Sequence, residues 1–169
     1  QYPQLVTECE QIKAFLDKPE KAVVDQLFQA QIDLLAMGDL KGALEAGQQV
    51  LEHNRVYLYN RTVVHALNAS AFTLRQLGRF SEARRLCTQS LHIGEMINDQ
   101  AVVAESHRVM GTIQWIIGNT AEAATHFLIA RESFEDEKLK DAVGAARVRR
   151  YEGFLYLSLI HISEPTRPY

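Results

Sequence analysis

Histidines, cysteines and paired acids are the residues of this chain that could carry out catalysis or hold a metal ion. The six histidines are His53, His65, His92, His107, His126 and His161. No two of them have the four-residue spacing that places two imidazoles on one helix face for a metal. Glu122 and His126 do have that spacing, but a polar contact between neighbouring turns is favoured over a catalytic pair. We therefore expect no metal site and no histidine catalysis.

Motifs that bind phosphates, activate nucleophiles or ligate metals do not occur. There is no Gly-rich phosphate loop, nucleophile elbow, HExxH zinc helix, CxxC pair or calcium loop. Two cysteines, Cys9 and Cys87, cannot form the multi-disulfide framework of small secreted domains, so we expect both to be reduced and buried. The sequence therefore predicts a protein that is not an enzyme and binds no cofactor.

Clustered arginines could instead indicate a nucleic-acid or acidic partner. They occur at Arg84 and Arg85 and again at Arg147, Arg149 and Arg150. The formal net charge of the chain is -3, and four acidic residues between 132 and 137 precede the second cluster. A solvated helix face is therefore favoured over direct nucleic-acid binding.

Targeting signals are the next feature to consider. No apolar run approaches the roughly 18 to 20 residues of a membrane-spanning helix. The first residues also lack the basic-then-apolar order of a signal peptide. We expect no membrane partner and a cytoplasmic location. Because the chain begins with Gln1 rather than methionine, we also expect it to be part of a longer protein.

The composition is that of a soluble globular protein built from helices. The chain has 169 residues, of which 47% are hydrophobic and 23% charged, so a packed core is available. The four prolines are Pro3, Pro19, Pro165 and Pro168, which leaves residues 20–164 free of proline. Apolar residues there recur at the i, i+3, i+4 and i+7 spacing of a helix rather than with the alternation of a strand. An all-α fold is therefore predicted.

Three segments align without gaps at a period of 40 residues. They read AMGDLKGALEAGQQVLEH, QLGRFSEARRLCTQSLHI and IIGNTAEAATHFLIARES. Two positions define the repeat, namely Gly38, Gly78 and Gly118, followed five residues later by Ala43, Ala83 and Ala123. The glycine can close a helix, the alanine lets two helices approach closely, and Ser81 and Thr120 are expected to cap the following helices. Each unit is predicted to be an antiparallel helical hairpin.

These positions resemble the tetratricopeptide repeat. A further family position, which is small or aromatic, is occupied by Gly47, Cys87 and Phe127. The family's Leu-Gly pair on the first helix is matched by Met110-Gly111, whereas the first two units have Ala30-Gln31 and Ser70-Ala71. The long period is similar to the extended repeats of kinesin light chains and of LuxR-type and other bacterial signalling proteins. The resemblance implies an α-solenoid with right-handed superhelical curvature that serves as an interaction surface.

The repeat register divides the chain into a helical domain and a tail. Hairpins are predicted at 20–54, 55–98 and 99–137, with a leading helix at 4–17 and a partial final helix at 139–157, which together make a domain of residues 1–157. Residues 158–169, which read SLIHISEPTRPY, look non-native and resemble a translated sequencing adapter. We expect the natural protein to continue with a further hairpin.

The resemblance also indicates which residues would line the concave surface of the solenoid. In the second and third units they are His65, Asn68, Phe72, Arg75, Glu105, Arg108, Thr112 and Trp115. The matching residues of the first unit are Phe28, Ile32 and Leu35, for which packing against a preceding helix is favoured. The aromatic rings would provide contact area, and Arg75 and Arg108 could bind a carboxylate or phosphate.

Two functions are compatible with this surface. The favoured one is a non-catalytic protein-interaction or sensory scaffold module of a cytoplasmic bacterial signalling or regulatory protein, whose partner is another protein or a peptide. The alternative is a sensor for a small ligand, such as a sugar or metabolite, within a transcription regulator or nucleotide cyclase.

Overall fold

The computed structural model describes residues 19–53 and 60–163, which contain seven helices and no strand. The helices are α1 (Pro19–Met37), α2 (Leu40–His53), α3 (Arg61–Gln76), α4 (Phe80–Met96), α5 (Gln100–Ile116), α6 (Thr120–Glu135) and α7 (Ala142–Ser163). Each helix packs against the next in the chain, and α1, α3, α5 and α7 also contact one another in that order. The fold is therefore the predicted all-α, tetratricopeptide-like solenoid. The predicted leading helix at 4–17 lies outside the described residues.

The turn inside each helix pair is closed by a glycine. Gly38, Gly78 and Gly118 have φ values of 81°, 73° and 91°, in the left-handed region. After α3, the Gly78 N–H donates to the Arg75 carbonyl at 3.1 Å, and the next N–H donates to the Leu74 carbonyl at 2.9 Å. This Schellman arrangement satisfies carbonyls that the helix end would otherwise leave unpaired.

The predicted caps at Ser81 and Thr120 are wrong. Both residues lie inside helices, and the residues that precede those helices, Arg79 and Asn119, make no side-chain cap hydrogen bond. The short turns place α4 and α6 directly after the Schellman motif, so the chain enters each helix before a serine or threonine is reached. Side-chain caps occur before α3, where the Asn60 side chain accepts a hydrogen bond, and before α5, where Asp99 does so.

Small residues form the contact between the two helices of a pair. Ala43, Ala83 and Ala123 are fully buried. A Cβ added to Gly111 on α5 would lie 2.6 Å from the Phe127 ring on α6, so the missing side chain makes room for that ring.

In the first pair the large and small residues of this contact are exchanged, because the glycine lies on the second helix and the larger side chain on the first. A Cβ added to Gly47 on α2 would lie 2.5 Å from Gln31 Nε2 on α1. In the second pair two side chains of intermediate size, Ala71 and Cys87, belong to one core cluster. The combined size of the two side chains thus stays compatible with close helix packing, although Gln31 and Ala71 depart from the glycine of the family pattern.

A buried polar network joins the second helix pair to the third. Asn68 Nδ2 donates to Ser106 Oγ at 2.9 Å, and Ser90 Oγ donates to Asn68 Oδ1 at 2.8 Å. Ser106 Oγ also bonds the Val102 carbonyl at 2.7 Å. Because every member has a partner, the network fixes how α3, α4 and α5 sit relative to one another.

Helix α7 covers one side of the third pair. Ala145, Val148 and Leu155 are buried in the cluster that contains Phe127. The helix starts three residues after the predicted start at 139, and it continues through the predicted boundary between 157 and 158 to Ser163. The last six residues lie outside the described part of the chain. Within the described part, none of the helices combines the length and apolar character needed to cross a membrane.

Candidate functional site

The first helix of each pair carries the residues predicted for the concave surface. Three of the eight are buried, because Asn68 is 4% exposed, Arg108 is 9% exposed and Thr112 is fully buried. Asn68 belongs to the polar network described above, and the Thr112 hydroxyl donates to the Val109 carbonyl at 2.7 Å. The repeat register placed Asn68 and Thr112 on the groove side, but Asn68 bonds Ser106 between α3 and α5, and Thr112 is buried with its hydroxyl bonded within α5.

His65 also has a structural partner. Its ring stacks on Phe28 of α1, with 5.9 Å between the ring centroids and 25° between the ring planes. Burial and the charge of Arg61 lower the pKa of His65, against smaller opposing effects of nearby carboxylates. Phe28 therefore packs against a following helix, α3, and the preceding helix favoured by the sequence lies outside the described residues. Ile32 remains partly exposed at 38%.

Glu105 and Arg108 form an ion pair one turn apart on α5. Arg108 donates from Nε to Glu105 Oε2 at 2.8 Å and from Nη2 to Glu105 Oε1 at 2.5 Å. Burial lowers the pKa of Arg108, but the hydrogen bonds and charge of Glu105 outweigh that effect and leave the pKa above its ordinary value. The positive charge of Arg108 is thus already compensated within the helix.

Arg75 has a different environment. Its guanidinium lies over the Phe72 ring, 4.5 Å from the centroid, and its buried Nε has no hydrogen-bond partner. Burial lowers the pKa of Arg75, and the charge of Arg108 lowers it further. Tyr151 acts in the opposite direction and raises the pKa. Among residues 19–53 and 60–163, no carboxylate lies within ion-pair distance of this guanidinium.

Trp115 meets aromatic side chains of α7. Its ring stacks on Phe154, with 6.1 Å between centroids and 8° between planes, and Phe154 meets Tyr151 edge-on at 6.4 Å. Arg108 lies 5.5 Å from the Tyr151 centroid. Residues of three first helices thus form one aromatic and cationic surface. We call it the first-helix surface and define it by Phe72, Arg75, Trp115, Tyr151 and Phe154.

The sequence missed the contribution of α7 to this surface. The Gly111 position of the repeat recurs at Gly153 after 42 residues rather than 40, so a strict 40-residue register does not bring Tyr151 and Phe154 into the site. The signal that could have identified them is the aromatic spacing of three residues, which places both rings on one helix face.

The sequence also missed a histidine pair between α5 and α6. His107 Nδ1 lies 2.9 Å from His126 Nδ1, and the ring centroids are 5.1 Å apart. A search for pairs within one helix cannot find residues 19 positions apart that meet across a hairpin. Elsewhere the reduced state expected of Cys87 agrees with its position, since it is a free, buried thiol whose pKa burial raises to about 12. Cys9 lies outside the described residues.

An open cavity of about 550 Å³ lies away from the first-helix surface. Its lining includes Glu95, Asp99, Glu132 and Asp136, beside the turn from α4 to α5 and the end of α6. Asp99 is already engaged there, because it caps α5 and lies 3.5 Å from Arg61 Nε. In the described ranges, no group of three or more histidine, cysteine or acidic side chains is arranged to hold a metal ion.

Comparison with known proteins identifies the fold. No protein-family model matches the chain, and a search of curated proteins finds no match. Among solved structures, the crystal structure of the apo form of RapI is similar, with a TM-score of 0.65 and 20% sequence identity over 90% of this chain. The similar region spans 58% of the RapI chain. At this identity the likeness concerns the helical-repeat fold.

Proposed function

We propose that the chain is a non-catalytic protein-interaction module that binds a partner protein or peptide on the first-helix surface. The observation that carries this proposal is the line of partly exposed rings, Phe72, Trp115 and Phe154, contributed by three separate helices. Aromatic rings that are partly exposed beside an arginine are typical of the energetically important part of protein interfaces.

The setting of this module is a further part of the proposal. A solenoid exposes a continuous surface along its stacked units, and such a surface suits an extended partner. The similarity to the RapI fold supports a regulatory helical-repeat module, and the extended repeat supports a cytoplasmic bacterial signalling protein.

The single tryptophan of the chain provides a direct assay. Trp115 lies in the first-helix surface, so a bound partner changes its surroundings and its fluorescence without any label. A displayed library of random peptides is selected on the purified full chain, and selected peptides are titrated while Trp115 emission is followed. We expect binders whose Kd rises at least about tenfold in the Phe154→Ala variant.

A matched control is available on α6. Leu128 is 42% exposed and Phe154 is 45% exposed, so Leu128→Ala removes a comparable exposed apolar side chain from a second helix. We expect Leu128→Ala to leave Kd unchanged. The opposite pattern, in which Leu128→Ala weakens binding and Phe154→Ala does not, would place the interface on the second helices and refute the proposal.

The small-ligand alternative makes a different prediction. A metabolite that binds the folded chain tightly raises its melting temperature by mass action. A thermal screen of sugars and metabolites that gives a large shift, abolished by Trp115→Phe together with Phe154→Ala, would favour the sensor over the peptide-binding module.

A further inference from the structure

Arg75 is the group of the first-helix surface whose charge the described chain does not compensate. A guanidinium has five N–H donors and stays charged at all physiological pH values. Here it is half-buried, its Nε has no acceptor, and its guanidinium lies 4.5 Å from the centroid of the Phe72 ring. Partial burial of a charge without a partner costs free energy, so such groups are usually paired.

Arg108 shows how this protein pairs a buried arginine. It lies on the neighbouring helix, is 9% exposed and holds Glu105 through two parallel hydrogen bonds. Its charge acts on Arg75 as a repulsion, which makes the unpaired state of Arg75 still less favourable. Arg150, in contrast, is exposed to solvent beside Tyr151 and needs no partner.

The neighbours of Arg75 also limit what can bind it. The Phe72 ring lies against one face of the guanidinium. The rings of Trp115, Tyr151 and Phe154 extend the surface to α7. An oxyanion would match the terminal donors of Arg75 as a bidentate pair, and an apolar side chain next to it would cover the rings.

We infer that Arg75 binds an oxyanion of the partner, a carboxylate or phosphate group carried by a peptide that places an apolar residue beside it. This inference rests on the proposed function, because it assigns the chemistry of the partner that the first-helix surface binds. The binding step forms hydrogen bonds and an ion pair and involves no covalent change.

A measurement without ligand tests the first half of the argument. Arg75→Met keeps an unbranched apolar stem over Phe72 and removes the uncompensated charge. We expect its melting temperature to equal or exceed that of the parent chain. Arg108→Met is the matched control, and it should lower the melting temperature by about 4 °C or more because Glu105 loses its partner. An equal loss in Arg75→Met would make Arg75 a structural cation and overturn the inference.

A pair of peptide libraries tests the second half. One contains Asp or Glu at fixed positions beside apolar residues, and the other is identical except for Asn or Gln at those positions. Binding is followed through Trp115 emission in the full chain. We expect acidic peptides to bind about 10- to 100-fold more tightly than their neutral counterparts, and Arg75→Met to remove that difference. Arg150→Met should retain most of it.

The outcomes separate this inference from the proposed function. Equal binding of both libraries, or acidic binding unaffected by Arg75→Met, refutes the inference and leaves the interaction module intact. Failure of both libraries to bind refutes both. Replacing the acidic residue by phosphoserine then identifies the oxyanion, since tighter binding assigns a phosphate and weaker binding a carboxylate, and either result requires Arg75.

Discussion

Acid should destabilise this protein through the histidine pair between α5 and α6. Two imidazole nitrogens 2.9 Å apart can share a hydrogen bond only when at least one ring is neutral. Burial, and the charge that His126 would carry, lower the pKa of His107 to about 4. Burial also lowers the pKa of His126, although Glu122 acts in the opposite direction. The folded chain therefore holds His107 neutral at pH 7.

The sign of the effect follows from proton binding in the two states. A histidine in the unfolded chain takes up its proton near pH 6.5, whereas His107 in the folded chain does so near pH 4. Between these values the unfolded state binds more protons, so stability falls as the pH decreases from about 6.5 and the loss is complete near pH 4. The full difference between these two pKa values corresponds to about 3 kcal/mol. Because His107 is only partly buried and screened by solvent, we expect about 1 to 2 kcal/mol.

Urea unfolding followed by far-UV circular dichroism measures this loss at pH 7.0 and pH 4.5. His107→Asn cannot take up the proton, so the stability difference between this variant and the parent should shrink by about 1 to 2 kcal/mol at the lower pH. Carboxylates that titrate in the same range act on both proteins and cancel. His92→Asn, which replaces an exposed histidine on α4, is the control and should follow the parent. If His107→Asn loses as much stability in acid as the parent, the reasoning about the pair is wrong.

Four further substitutions test the packing by urea titration. Ala83→Trp should overfill the contact between α3 and α4 and cost about 1 to 3 kcal/mol, and an unchanged stability would contradict the repeat register. Gly78→Ala should cost about 1 kcal/mol, because its φ is 73° and no atom crowds the new Cβ, whereas Gly153→Ala in the open interior of α7 should gain about 0.5 to 1 kcal/mol. Asn68→Ala should cost about 1 to 3 kcal/mol of stability, because the hydroxyls of Ser90 and Ser106 lose the amide that they bond. A loss of stability below about 0.5 kcal/mol, which is typical of an ordinary surface change, would mean that the network does not hold the helices together.

The helix pairs could be predicted because the repeat constrains backbone geometry. Gly78 must adopt a left-handed conformation and Ala83 must be small, and both requirements depend on residue type alone. Sequence could not explain why the other family positions vary so much. The structure explains it through compensation, since Gly111 faces the large Phe127 and Gly47 faces the long Gln31. Only the combined volume of the two side chains is constrained there. To predict it from sequence, one must first know that two residues 16 positions apart are in contact.

The surface was harder to predict than the fold because it depends on contacts between units. A repeat register assigns a residue to a helix face, but the distance to the neighbouring helix decides whether that residue is exposed. Asn68 and Arg75 share a helix and were both assigned to the groove. The first is buried in a polar network, and the second reaches a surface completed by α7.

Arg75 of this surface and its buried neighbour Arg108 differ in what they contribute to stability and to binding. In a solenoid, most stability comes from contacts within a unit and with its neighbours. Arg108 contributes to stability in this way, because its charge is compensated by Glu105 of the same helix. Arg75 does not, since its charge is partly buried, repelled by Arg108 and unmatched by any acid in the described chain. A residue whose removal should not weaken the fold is also the one best placed to pair with an external anion, so Arg75→Met should lower affinity for an acidic partner without lowering stability.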